Sequence, residues 1–87
     1  MEFEWDDNKN RLNVSRRGLN FRDVDSLDWL TADYRLDTRS DYGERRVVAT
    51  GIFRRWLTVV VFTPRGGRLR IISWRMANQR ERKRYGY

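Results

Sequence analysis

The sequence predicts a small α+β domain, a twisted antiparallel sheet of three to four strands with two helices ahead of it and one behind. Three observations predict it. The 87 residues make one small domain, 1–87, able to bury about 60–65% of its unfolded-chain surface. The first third carries helix-capping residues and apolar residues at helical spacing. From Glu44 the apolar residues recur at period two, broken by turn residues, as in consecutive strands.

"FEWD" (Phe3–Asp6) is a short strand candidate with Phe3 and Trp5 on one side. Asp6 is a good N-cap for a helix through "DNKNRLNVSRR". Arg16 and Arg17 fall in its last turn, where cations suit the dipole, and Gly18 sits where a glycine closes a helix. Asn20 can cap a second short helix, whose Phe21, Val24, Leu27 and Leu30 follow at threes and share a face. "TADYRLDTRSDYGE" is polar, with a weak edge strand around Tyr34–Leu36 and a loop at Ser40–Gly43.

"RRVVATGIF" suits a strand with Val47, Ala49, Gly51 and Phe53 on one face, and "RRW" is a hairpin turn. "LTVVVFT" is apolar on both faces, which marks a central strand. "PRGG" is the next turn. In "RLRIISWR", simple alternation places Arg68, Arg70, Ile72 and Trp74 on one face, and Leu69, Ile71, Ser73 and Arg75 on the other. Asn78 followed by Glu81 resembles a capping box that opens a last helix through "QRERKRY". The helices are expected on one side of the sheet.

Composition excludes several chemistries. The chain has no cysteine and no histidine, so disulfides, zinc–thiolate sites and Ser-His or Cys-His nucleophiles are ruled out. No phosphate-binding loop, dinucleotide fingerprint or metal-ligand cluster is present, and no metal or cofactor is expected. Without a membrane span or a signal-peptide pattern, the expected compartment is the cytoplasm.

Charge carries the functional information. Residues 1–64 hold eleven basic and eleven acidic side chains, whereas residues 65–87 hold eight basic and one acidic. The whole net charge of +7 therefore lies in the last strand, its turn and the tail. All but two of the 19 cations are arginine, the residue suited to bidentate phosphate contacts and stacking. Such a surface attracts polyanions; a solvated basic helix, or a surface covered by an acidic protein, fits the same charge. Arg70 lies mid-strand and either pairs with Glu44 or another neighbouring carboxylate or waits for a phosphate. Arg65 lies in the turn, and Arg75 between strand and helix. Trp74 and Tyr85 could stack on bases, though Trp74 reads better as core. Glu44, which borders the central strands, is the candidate proton acceptor, with an ion pair as its simpler role.

The strings "FEWDDNK", "GERR", "VVVFTPR", "RIISWRMAN" and "RERKRY" together resemble the BrnT family of ribonuclease toxins, over nearly the whole chain and in order. The resemblance implies a RelE-like fold, metal-free cleavage of RNA, and a cognate antitoxin (BrnA-like) with a ribbon-helix-helix DNA-binding part. Through that antitoxin, the pair would bind operator DNA and repress its own operon. Arg65, Arg70 and Arg75 would clamp the reacting phosphate, Glu44 would accept the 2′-OH proton, and Tyr85 would assist the leaving oxygen. Arg17, Arg80, Arg82 and Arg84 would bind RNA. The family usually has Lys-His-Gly where this chain has Arg16-Arg17-Gly18; a guanidinium does not release its proton near neutral pH. A basic module that holds nucleic acid or antitoxin without turnover is the alternative reading.

Overall fold

The computed structural model describes residues 1–39 and 41–87; Ser40, first residue of the expected Ser40–Gly43 loop, lies outside the described residues. The elements are β1 (Glu2–Trp5), α1 (Asp7–Arg17), a 3₁₀ segment (Phe21–Ser26), β2 (Asp33–Leu36), β3 (Val47–Phe53), β4 (Trp56–Arg65), β5 (Arg68–Met76) and α2 (Gln79–Arg84). They form one five-stranded sheet in the order β1-β5-β4-β3-β2.

The expected fold is corrected here. An antiparallel RelE-like sheet of three to four strands with three helices was anticipated; the sheet has five strands and is mixed, and its helices are short. The reason is β1, which adds itself parallel to β5 with Phe3 opposite Leu69 and Trp5 opposite Ile71. The pairing is driven by burial: Phe3 stacks on Trp29 at 5.3 Å, Trp5 meets Phe21 edge-on at 6.4 Å, and both join the main core. On the opposite face of the same pairing, Glu2 meets Arg68 at 2.9 Å and Glu4 meets Arg70 at 2.8 Å.

Local signals decide most element ends. Asp6 accepts from the Lys9 amide, and Gly18, at φ 75°, closes α1 by donating to the Val14 carbonyl, a left-handed position that suits glycine. Gly66 and Gly67, at φ 57° and 81°, form the two-residue turn that joins β4 to β5. Asn78 and Glu81 make the full capping box of α2. Asn20 does cap the next segment, but that segment is a 3₁₀ turn ending at Ser26. Leu30 consequently misses the shared apolar face and is exposed, while Trp29 packs on Phe62.

A second correction concerns β5. Val61 pairs with Ser73 but Phe62 pairs with Ile71, so Ile72 is an extra residue in a β-bulge. Alternation reverses across it. Leu69, Ile71 and Trp74 oppose Pro64, Phe62 and Val60 and face the core, whereas Arg70, Ser73 and Arg75 oppose Thr63, Val61 and Val59 and face the other way. Simple alternation had put Arg70 with Trp74 and opposite Arg75. Trp74 is fully buried, and its indole donates to the Thr58 hydroxyl at 3.0 Å.

Beyond the bulge the β5 edge has no strand partner among the described residues, because β1 ends at Trp5. Asn13 of α1 takes the place of that strand. Its Nδ2 donates to the Trp74 and Leu19 carbonyls at 2.8 and 2.9 Å, and its Oδ1 accepts from the Trp74 amide at 3.1 Å. Asn13→Ala therefore leaves three buried backbone groups unpaired. Each costs about 1–3 kcal/mol, and the expected loss in urea unfolding is about 3 kcal/mol after partial relaxation. A loss below about 0.5 kcal/mol, the size of an ordinary surface substitution, would show that the clamp is dispensable.

Candidate functional site

The sheet's non-core face is partly open. Val48, Thr50, Val59, Val61 and Ser73 floor a groove with a volume of about 640 Å³. One wall is β2 and the chain after it, from Arg35 to Arg39; the other is α2, with Glu81, Arg84 and Tyr85. Arg75 rises from β5 between them, and Arg17 enters from the end of α1. Five arginines and two carboxylates, Asp37 and Glu81, line the groove, so its field is positive and suited to an anion.

Each carboxylate has a defined partner. Glu81 holds Arg75 in a two-point pair at 2.7 and 2.9 Å while also accepting from the Asn78 amide. The Arg75 guanidinium holds the Glu81 carboxyl below its ordinary value, and Glu81 in turn raises Arg75, whose charge is opposed by the nearby Arg39. Asp37 accepts from the Arg39 guanidinium at 2.9 and 2.8 Å and from the Tyr42 hydroxyl at 3.2 Å. Those bonds, Arg39 first, lower the Asp37 carboxyl to about 2. Behind the groove, the Tyr85 hydroxyl donates to Asp33 at 2.5 Å and ties α2 to β2. That bond, with help from Arg35, keeps the Asp33 carboxyl below its usual range.

α2 itself is lightly anchored. It has no buried residue, and Tyr85 and Ala77 pack with Leu57 and Val59 in a small second core. Arg82 donates to the Ala77 carbonyl at 2.9 Å. Polar links therefore set much of the helix's position over the groove.

Of the residues expected from the sequence, the groove gathers Arg17, Arg75, Arg84 and Tyr85. Arg70 lies on the same face but is paired with Glu4. Arg65 is exposed at the β4–β5 turn, and Arg80 is exposed on α2. Glu44 lies in the chain between β2 and β3, paired with Arg46 at 3.2 Å. Sequence reasoning missed Arg35, Asp37, Arg39 and Glu81 as lining residues. The first three come from a weak edge strand and its exit, where no periodicity flags them. Glu81 was legible only as a cap, although a carboxylate six residues after Arg75 on a strand-turn-helix path was a usable signal.

Comparison with protein-family models matches residues 5–81 to one described as ribonuclease toxin, BrnT, of type II toxin-antitoxin system. The chain belongs to the BrnT family. The match covers Arg17, Arg35, Arg39, Arg75 and Glu81, while Arg84 and Tyr85 lie just beyond it. No curated protein matches the chain. As a BrnT member it falls in a class of ribonuclease toxins, whose type II pairing implies an RNA target and an antitoxin partner. Among the described residues, no helix is long and apolar enough to cross a membrane.

The groove wall makes a pH prediction. Because Asp37 titrates at about 2 in the fold, against 3.8 ordinarily, its pair with Arg39 stabilises the fold fully above the ordinary value. That contribution is lost as pH falls through the folded value. An NMR titration of the Asp37 carboxyl is expected to show the low midpoint, and Arg39→Ala is expected to return it towards the ordinary range. A wild-type midpoint near 3.8 would contradict the pairing.

Proposed function

We propose that this BrnT protein is a metal-independent endoribonuclease that binds single-stranded RNA in the groove, with Arg75 at the reacting phosphate. The observation that carries this reading is the convergence of Arg17, Arg35, Arg39, Arg75 and Arg84 on one groove floored by the rigid central strands. Fixed guanidiniums stabilise charge that develops on phosphate oxygens during attack by the adjacent 2′-OH. A sheet holds such donors more closely than a loop does. The bond from the 2′ oxygen to phosphorus forms, the bond to the 5′ oxygen breaks, and the products are a 2′,3′-cyclic phosphate and a 5′-OH.

Arg75 meets the phosphate by exchanging one anion for another. The Glu81 carboxylate already presents two oxygens to the guanidinium, the geometry a phosphate also offers. Once displaced, Glu81 loses the partner that holds its carboxyl low and becomes a better base beside the 2′-OH. The Tyr85 hydroxyl is the proton donor to the leaving 5′ oxygen, released from Asp33 as α2 adjusts. Arg17, Arg35, Arg39 and Arg84 hold the flanking backbone.

The partner is proposed to be a cognate antitoxin with a ribbon-helix-helix part that carries the pair to operator DNA. A second reading, a non-catalytic RNA- or antitoxin-binding module, is favoured by one observation. Arg17, which cannot act as an acid or base, lines the groove where the resemblance places histidine.

Purified protein incubated with end-labelled RNA separates the two. Cleavage is expected to persist in chelator and to yield cyclic-phosphate ends. Arg75→Ala, checked for folding by tryptophan fluorescence, is expected to lower the rate about 10²–10³-fold, the effect of removing one preorganised donor. RNA retained without new ends would establish the binding module instead.

A further inference from the structure

Beside the groove lies a second cleft of about 220 Å³ between α1 and the β5 bulge. Lys9, Leu12, Asn13, Arg16 and Arg17 line one side of it. Their spacing of three and four residues puts them on one face of α1. The other side is Ile72, the bulge residue, with Ser73. Asn13 is committed to the Trp74 and Leu19 backbone, which makes the back of the cleft rigid. Arg17 and Ser73 line both cleft and groove, so the two adjoin.

The chemistry of the cleft is amphipathic. Lys9, Arg16 and Arg17 make no ion pair among the described residues. They flank an apolar strip formed by Leu12, 51% exposed, and the half-buried Ile72. From Lys9 to Arg16 the helix rises about 10.5 Å, a span suited to a short piece of extended polyanion rather than one ion. The site has two origins: the bulge turns Ile72 out of the regular pleat, and the end of β1 at Trp5 leaves the edge against which α1 docks.

We propose that this cleft is a second RNA subsite, holding a nucleotide next to the one in the groove. Lys9 and Arg16 take its phosphates, and Leu12 with Ile72 takes the sugar and the face of the base. The subsite rests on the reading of the groove as an RNA site and extends it around Arg17 onto α1. An acidic segment of the antitoxin is the rival occupant. RNA is favoured because the cleft adjoins the arginine-lined groove at Arg17 and Ser73 and alternates cations with apolar surface, as a single strand alternates phosphates with bases.

The test uses the full chain, fluorescence anisotropy and 2′-deoxy-blocked RNA of two lengths. One is a dinucleotide that fills the groove, and the other is long enough to reach the cleft as well. For the longer ligand, Lys9→Ala with Arg16→Ala is expected to reduce the slope of log K against log salt by about 1.4, two contacts at about 0.7 each. Dinucleotide affinity is expected to stay unchanged. Arg54→Ala with Arg55→Ala, at the distant β3–β4 turn, is expected to alter neither. If the longer ligand keeps its full slope, or the dinucleotide loses as much, the subsite is wrong while the groove stands. Loss of antitoxin binding with RNA binding intact would give the cleft to the antitoxin and overturn the proposal. If the wild type binds neither RNA, the groove reading fails and this inference fails with it.

Discussion

Between Arg70 and Arg75 the chain inserts one residue more than regular pleating needs, and that residue, Ile72, organises the molecule. Without it, Arg70 and Arg75 would fall on opposite faces of β5 and one would enter the core. With it, Leu69, Ile71 and Trp74 share the core face while Arg70, Ser73 and Arg75 share the open one. Because β1 ends at Trp5, the β5 backbone around Trp74 is left to be paired by Asn13, which docks α1 there and delivers Arg17 to the groove. The bulge keeps the arginines out of the core, and Asn13 supplies the partners that the buried backbone edge beside it must find.

The arginines of β5 divide by partner. Arg68 and Arg70 meet Glu2 and Glu4 of β1, each directly opposite in register; these pairs help to set the parallel register. Arg75 meets Glu81 from a short helix that lies lightly over the groove. The strand pairs join two neighbours of one sheet, whereas Glu81 sits on a short helix and can leave as α2 shifts. The same chemistry serves architecture at one end of β5 and, in the proposed mechanism, recognition at the other. The second cleft extends that division, since its cations lie on α1 and answer to no carboxylate among the described residues.

Much of the fold was legible where the determinants are local. Asp6, Gly18 and Asn78 with Glu81 announce helix ends because each works within a turn of its own position. The doubly apolar β4 announces a central strand for the same reason. What was not legible depends on distant partners. Phe3 and Trp5 suggest a strand, but only their burial against Trp29 and Phe21 adds it to the sheet in parallel. A bulge is invisible to a rule that assumes period two. Of the site, Arg75, Arg84 and Tyr85 stood out by charge or type in the basic tail and Arg17 through the family resemblance, whereas Arg35, Asp37 and Arg39 reach the groove only because β2 closes the far edge of the sheet.

The central claim is that the open face of the sheet receives the reacting phosphate of the RNA strand. A ¹H–¹⁵N spectrum recorded during titration with a 2′-deoxy-blocked oligonucleotide tests it most directly. The amides of Ser73, Arg75, Glu81 and Tyr85 and the Arg75 guanidinium are expected to shift together, while Arg54, Gly66 and Gly67 at the two hairpin turns stay still. Shifts concentrated at those turns, with the Arg75–Glu81 signals unmoved, would contradict it.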